Sequence, residues 1–364
     1  MRCRLAAFAV AVTACALAAV SGCGSARRDA RLCPTLPAGA ATVAVPTVIL
    51  VTLDGVRARD VFDATLPLPN LRRLADRGVA LGGPEAPMRA SGPRFVSLPG
   101  YREILTGRRD GAGCRDNECP PIAEPTILDE LRVAGNLGTD DVVVLASWET
   151  IARATSIVPE AVTISAGRRD GANRNRLARD ARIRRRLDDG TSARAFPGHG
   201  DYRPDAWTAA LALDVVAARH PRLLWVALGD GDEYAHRGDY AGYRESLVAA
   251  DRFVGALGAV VGQDAIYIVT ADHGRSANFR DHGDSAESSS VWLIAAGGDI
   301  PPTGHLRAAG DGATAAPRYL ADIAPSLRAL LHLAADPSPR AGALIPELLP
   351  RQLAAAEAET PASP

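Results

Sequence analysis

Six side chains able to hold a divalent cation stand at or just beyond the ends of apolar runs. Asp54 closes TVILVTLD, Asp232 and His236 follow RLLWVALGD in GDGDEYAH, Asp272 and His273 close AIYIVTADHG, and His282 follows in FRDHG. A buried strand end is a costly place for an unpaired carboxylate, so such an acid needs a cation or several donors. One aspartate of this kind reads as a helix cap; three strand ends carrying them predict a shared site. Asp232 and His236 are four apart and fall on one face of a helical turn. The adjacent Asp272 and His273 can reach one ion only from a turn, and Gly274 supplies it. Carboxylate oxygen with imidazole nitrogen suits zinc, and also manganese or iron. Two such sets predict a centre of two divalent ions roughly 3.5–4 Å apart. Asp230 and Glu233 flank Asp232 and remain rivals for its role.

A possible nucleophile lies elsewhere, in SLPGYREILTGR (97–108). Pro99 and the helical pattern after it put Ser97 at a helix N-terminus, where free N–H groups favour an anion. A hydroxyl beside a cation loses its proton more readily than in water and could attack an ester. The alternative is a plain helix cap. Arg94, Gly100 and Arg102 are candidates for contact with an anionic substrate. All 41 basic residues are arginine, which excludes a lysine Schiff base, a lysine general base or a P-loop lysine.

The elements that must position these residues follow from the apolar pattern. Continuous β-branched runs recur at 141–148, 222–230, 265–274 and 289–298 as well as before Asp54, the mark of buried parallel strands. Helical patterns lie between them, at 67–78, 124–135, 203–220, 239–261 and 317–333. The alternation predicts an α/β fold: an open, mostly parallel sheet with helices on both faces, and a site beyond the C-terminal strand ends. The basic, polar stretch 166–201 breaks the pattern. It reads as a solvated helix or loop, or as part of an inserted cap placed at about 108–215.

VTLDGVR, SLPGYREILTG, DEYAH and TADHG with a later DHG, in that order over roughly residues 45 to 335, resemble the alkaline phosphatase superfamily, with the nucleotide pyrophosphatase/phosphodiesterase-like branch closest. The resemblance implies one ion held by Asp232, His236 and His282, a second held by Asp54, Asp272 and His273, and Ser97 beside the second. It implies a hydrolase of phosphate mono- or diesters acting on a small molecule, with a phosphotransferase or sulfatase-like hydrolase as alternatives and a non-catalytic surface lipoprotein as the distant one. Sulfatases carry arginine where this chain has Tyr101, so Ser97 is expected to stay serine. Many phosphodiesterase relatives are expected to bind a phosphoryl oxygen with an asparagine three residues after the nucleophile. Gly100 stands there, so a backbone N–H or an arginine must replace it. VILVTLDGV also resembles haloacid dehalogenase-type phosphatases, but Thr52 occupies their nucleophile position and their lysine is missing.

The termini read as processing segments. Residues 1–22 have the charged start and apolar core of an export signal, and VSGC resembles a lipobox that would lipidate Cys23. Residues 23–45 read as a tether, 46–350 as the catalytic domain and 351–364 as a disordered tail. The expectation is an exported protein, lipid-anchored to a bacterial membrane. In an oxidising compartment Cys114 and Cys119 are close enough for a loop disulfide. The formal net charge of −1 carries no nucleic-acid signal.

Overall fold

The computed structural model describes residues 46–305 and 316–350. The export signal, Cys23, the tether and the C-terminal tail lie outside the described residues. The strands are β1 Val48–Leu53, β2 Gly78–Leu81, β3 Met88–Arg89, β4 Val142–Ala146, β5 Thr163–Ala166, β6 Leu223–Leu228, β7 Ile266–Thr270, β8 Ser290–Val291, β9 Leu293–Ala296, β10 Gly304–His305 and β11 Arg318–Tyr319. The helices are α1 Ala58–Val61, α2 Pro69–Asp76, α3 Ser97–Thr106, α4 Ile127–Ala134, α5 Arg174–Leu177, α6 Ala181–Ser192, α7 Asp205–Arg219, α8 Asp230–His236, α9 Tyr240–Val261 and α10 Ile323–Leu330.

Eight strands form one sheet in the order β10-β2-β9-β7-β1-β6-β4-β5, and β11-β3-β8 form a small second one. Strands β7, β1, β6, β4 and β5 are mutually parallel, while β9 runs antiparallel to both β7 and β2. All six side chains of β1 are buried, because helices cover both faces. Val48 and Leu50 pack with residues of α3, α4 and α10, whereas Ile49, Val51 and Leu53 pack with α2, α6, α7 and α9. The α/β sheet with helices on both faces is therefore the observed architecture.

The stretch assigned to an inserted cap is corrected in part. It contains β4 and β5, which are strands of the main sheet, so residues 142–146 and 163–166 belong to the core. Helices α5 and α6 lie between β5 and α7, and α6 buries Ile183 and Leu187 against the sheet's second face. No helix among the described residues is long and apolar enough to cross a membrane.

Candidate metal centre

The centre lies where β1, β7 and β6, three adjacent strands, end together. Asp54 follows β1 directly, and its N–H is tied to Leu228 O of β6 at 2.9 Å. Gly55 has φ +61, and a Cβ there would meet Arg275 Nη1 and Asp232 Oδ1 at 2.6 Å. The turn after β1 therefore needs glycine both for conformation and for space. The Gly55 N–H reaches Asp272 Oδ1 at 3.1 Å and so couples the ends of β1 and β7. After β6, α8 carries Asp232 and His236 on one face, with Asp232 Oδ2 3.1 Å from His236 Nε2.

Backbone carbonyls orient two of the imidazoles. His273 Nδ1 lies 2.8 Å from Gly274 O and His282 Nδ1 2.9 Å from Phe95 O. With Nδ1–H donating to a carbonyl, each ring turns its Nε2 lone pair inward. His273 Nε2 then stands 3.3 Å from Asp54 Oδ1 and 3.6 Å from Asp272 Oδ2. His282 Nε2 stands 3.1 Å from His236 Nε2 and 3.7 Å from Asp232 Oδ1. Two overlapping groups, Asp54/Asp272/His273 and Asp232/His273/His282, keep their ligand atoms within 4.8 Å of one another. Of the rivals for Asp232, Asp230 accepts instead from Tyr202 Oη at 2.7 Å and from the Asp205 N–H at 3.2 Å.

The donor set fits divalent cations. Asp272 is fully buried, and its Oδ2 has no hydrogen-bond partner. Burial, then the neighbouring carboxylates, pushes the Asp54 carboxyl up to about 7 and the Asp272 carboxyl well above its ordinary value. Burial pushes His273 and His282 down to about 4. Carboxyls that resist ionising beside imidazoles that resist protonation form a pocket poised for positive charge of another kind.

Ser97 opens α3 next to this set. Its Oγ is 3.3 Å from Asp54 Oδ1 and 3.4 Å from His273 Nε2, and the residue is 4 % exposed. Val96, not Ser97, is the N-cap, so the hydroxyl is not spent on capping. A Cβ on Gly100 would meet Asp272 O at 2.2 Å; its absence lets α3 lie directly on the metal-bearing turn.

Two of the substrate-contact expectations change. Arg102 is 3 % exposed and donates to the carbonyls of Pro120 and Arg153. Five positions past Ser97 on a helix is about 500°, some 140° away from the Ser97 face, so Arg102 braces the loop behind α3. The Gly100 N–H is bonded to Val96 O at 3.2 Å. Arg94 stays half-exposed, 3.5 Å from Asp284.

Three residues escaped the sequence reading. Tyr101 Oη donates to Asp54 Oδ2 at 2.8 Å; its difference from the sulfatase arginine was visible, its partner was not. Asn117 Oδ1 accepts the Leu98 N–H at 2.9 Å. It sits in the loop closed by the Cys114–Cys119 disulfide, whose Cα atoms are 5.7 Å apart. Arg275 pairs with Asp232, and its place directly after DHG was the available signal.

A family model described as the metalloenzyme superfamily matches residues 207–334, a span that contains Asp232, His236, Asp272, His273 and His282. The fold is shared with alkaline phosphatase PafA, at 13% identity over 84% of this chain and 99% of that one with a TM-score of 0.57. The chain therefore has the fold of the alkaline phosphatase superfamily. A phosphonate monoester hydrolase from Silicibacter pomeroyi shares the superfamily fold at 16% identity, 83% and 76% coverage and a TM-score of 0.56. A 2-O GAG sulfatase does so at 13% identity, 84% and 74% coverage and a TM-score of 0.55. No curated protein matches the chain. Within the matched span and the shared fold, the carboxylate–imidazole cluster is the candidate site for divalent ions.

Proposed function

We propose that the chain hydrolyses phosphate mono- or diesters with Ser97 as nucleophile, Asp232, His236 and His282 holding one divalent ion and Asp54, Asp272 and His273 the other, zinc being the ion that best suits these donors. The observation that carries this reading is the position of the Ser97 hydroxyl, buried at a helix start and within 3.4 Å of both Asp54 and His273. When bound, the two cations supply Lewis acidity at the attacking and leaving oxygens. As Ser97 Oγ, aligned by Asp54, loses its proton and bonds to phosphorus, the bond to the leaving oxygen breaks and that oxygen takes up a proton from solvent to depart as the alcohol. Water then cleaves the phosphoseryl ester and restores the hydroxyl.

Asn117 answers the missing asparagine at position 100. Its Oδ1 is fixed on the Leu98 N–H, so its amide nitrogen is left as a donor next to the helix tip. We assign it to a phosphoryl oxygen, a role in which one donor contributes roughly 10²–10³ in rate. Tyr101 favours phosphate over sulfate esters, since the arginine used for formylglycine conversion in sulfatases is replaced by a residue committed to Asp54. The anchored, exported reading rests on residues 1–23 and gains support from the disulfide, a bond of oxidising compartments.

The test is turnover of p-nitrophenyl phosphate, its bis ester and the sulfate by the zinc-loaded chain. Phosphate-ester turnover lost in Ser97→Ala with zinc retained is the expected result. A Ser97→Ala variant as fast as the parent would remove the nucleophile assignment, and turnover of the sulfate alone would remove the substrate class.

A further inference from the structure

Arg275 is buried with no side-chain exposure, and every edge of its guanidinium is used. Nε donates to Phe279 O at 2.6 Å and Nη2 to Arg280 O at 2.6 Å. Nη1 pairs with Asp232 Oδ1, the only carboxylate in an ion pair with Arg275 among the described residues. The two carbonyls fix the guanidinium in place, and glycine at 55 leaves it the room to stand there. Asp232 therefore meets an incoming ion with one oxygen already engaged. Its other oxygen, Oδ2, faces His236 Nε2.

The consequence is a difference in charge between the two ion positions. Around Asp54, Asp272 and His273, two carboxylates face an ion, and neither is in an ion pair with an arginine among the described residues. Around Asp232, His236 and His282, the one carboxylate is already paired with a guanidinium that cannot be deprotonated in ordinary buffers. Once binding has displaced the protons of Asp54 and Asp272, a divalent ion in the first position faces two carboxylates that are not paired with arginine; one in the second meets a carboxylate whose charge Arg275 already offsets. We infer that Arg275 makes the two positions unequal, so that the ion at Asp54, Asp272 and His273 binds first and the ion at Asp232, His236 and His282 binds second and is lost first. Arg275 thereby acts as a positioning residue for Asp232 and sets the affinity of the second ion. The inference rests on the two-ion reading of the proposed function.

The metal-stripped full chain is titrated with zinc against a competing chelator, with bound zinc counted by elemental analysis. Two steps are expected, separated by at least roughly tenfold in Kd, the scale on which residues behind metal ligands act. Asp232→Asn should remove the weaker step and keep the stronger. Arg275→Met should tighten the weaker step by roughly tenfold and leave the stronger one unchanged, with circular dichroism reporting the fold. Two equivalent zinc ions in the parent chain would overturn the inference while leaving the proposed function intact, as would a weaker step that loosens in folded Arg275→Met. A chain that binds no zinc would overturn both. Should Arg275→Met not fold, the parent chain and Asp232→Asn still decide.

Discussion

Under the proposed function Ser97 and Asn117 do different work, and their variants should fail differently. Ser97→Ala removes the attacking oxygen, and kcat should fall on the order of 10⁴-fold with zinc content unchanged by elemental analysis. Asn117→Ala removes one donor to the phosphoryl group, and kcat/KM should fall roughly 10²–10³-fold, with a residual rate that Ser97→Ala lacks. Tyr101→Phe leaves the nucleophile but frees Asp54 Oδ2, and should weaken zinc retention in a chelator titration by about tenfold. Of these residues Ser97 was legible in the sequence, because a hydroxyl at a helix start beside ordered ligand motifs is a local pattern. Asn117 was not, since it comes twenty positions later on a loop whose return to the helix tip is a tertiary fact. Arg102 was misread for the same reason: its type suggested an anion contact, and only the helix azimuth shows it facing Pro120 and Arg153.

At the scale of elements, the strands that set the centre were readable because burial on both faces leaves no room for polar alternation. TVILVTL, RLLWVAL and AIYIVT are continuous apolar runs that end on Asp54, on the Gly229 turn and on Asp272. The short β2 and β5 escaped: four-residue segments such as TISA carry little periodicity, and β5 adjoins the basic run that suggested a cap. What positions the helices is legible mainly at glycines. Gly100→Ala would drive a methyl into Asp272 O and separate α3 from the turn after β7. A loss of about 1–3 kcal/mol is expected from such overpacking, seen as a lowered unfolding midpoint, together with slower turnover because Ser97 moves with its helix. Asp272→Asn should instead release zinc with little change in the apo midpoint.

Over the whole molecule, buried acids set how the metal-stripped chain responds to pH. Burial pushes Glu103 up to about 8, despite the N–H groups of Ser91 and Gly92, and Asp54 up to about 7. The folded chain keeps these protons after the unfolded chain has released them near the ordinary 4.5 and 3.8. Their contribution to stability is therefore greatest at low pH and is lost as pH rises, by up to about 1.4 kcal/mol per pH unit for each proton retained. His273 and His282, depressed to about 4 from 6.5, act in the opposite sense below 6.5. Thermal unfolding of the metal-stripped chain should accordingly show a midpoint that falls between about pH 6.5 and 8, and Glu103→Gln should flatten that fall.

The loop between Cys114 and Cys119 is closed by a covalent bond, and Asn117 leans from it onto the start of the nucleophile helix. If Asn117 holds a phosphoryl oxygen as proposed, competence for catalysis is thereby linked to thiol chemistry. A reductant that opens the ring frees the asparagine to wander, so turnover should drop toward the Asn117→Ala level while bound zinc stays constant. A chain folded in a reducing cytosol would carry its ions and its serine and still be a slow enzyme until oxidised.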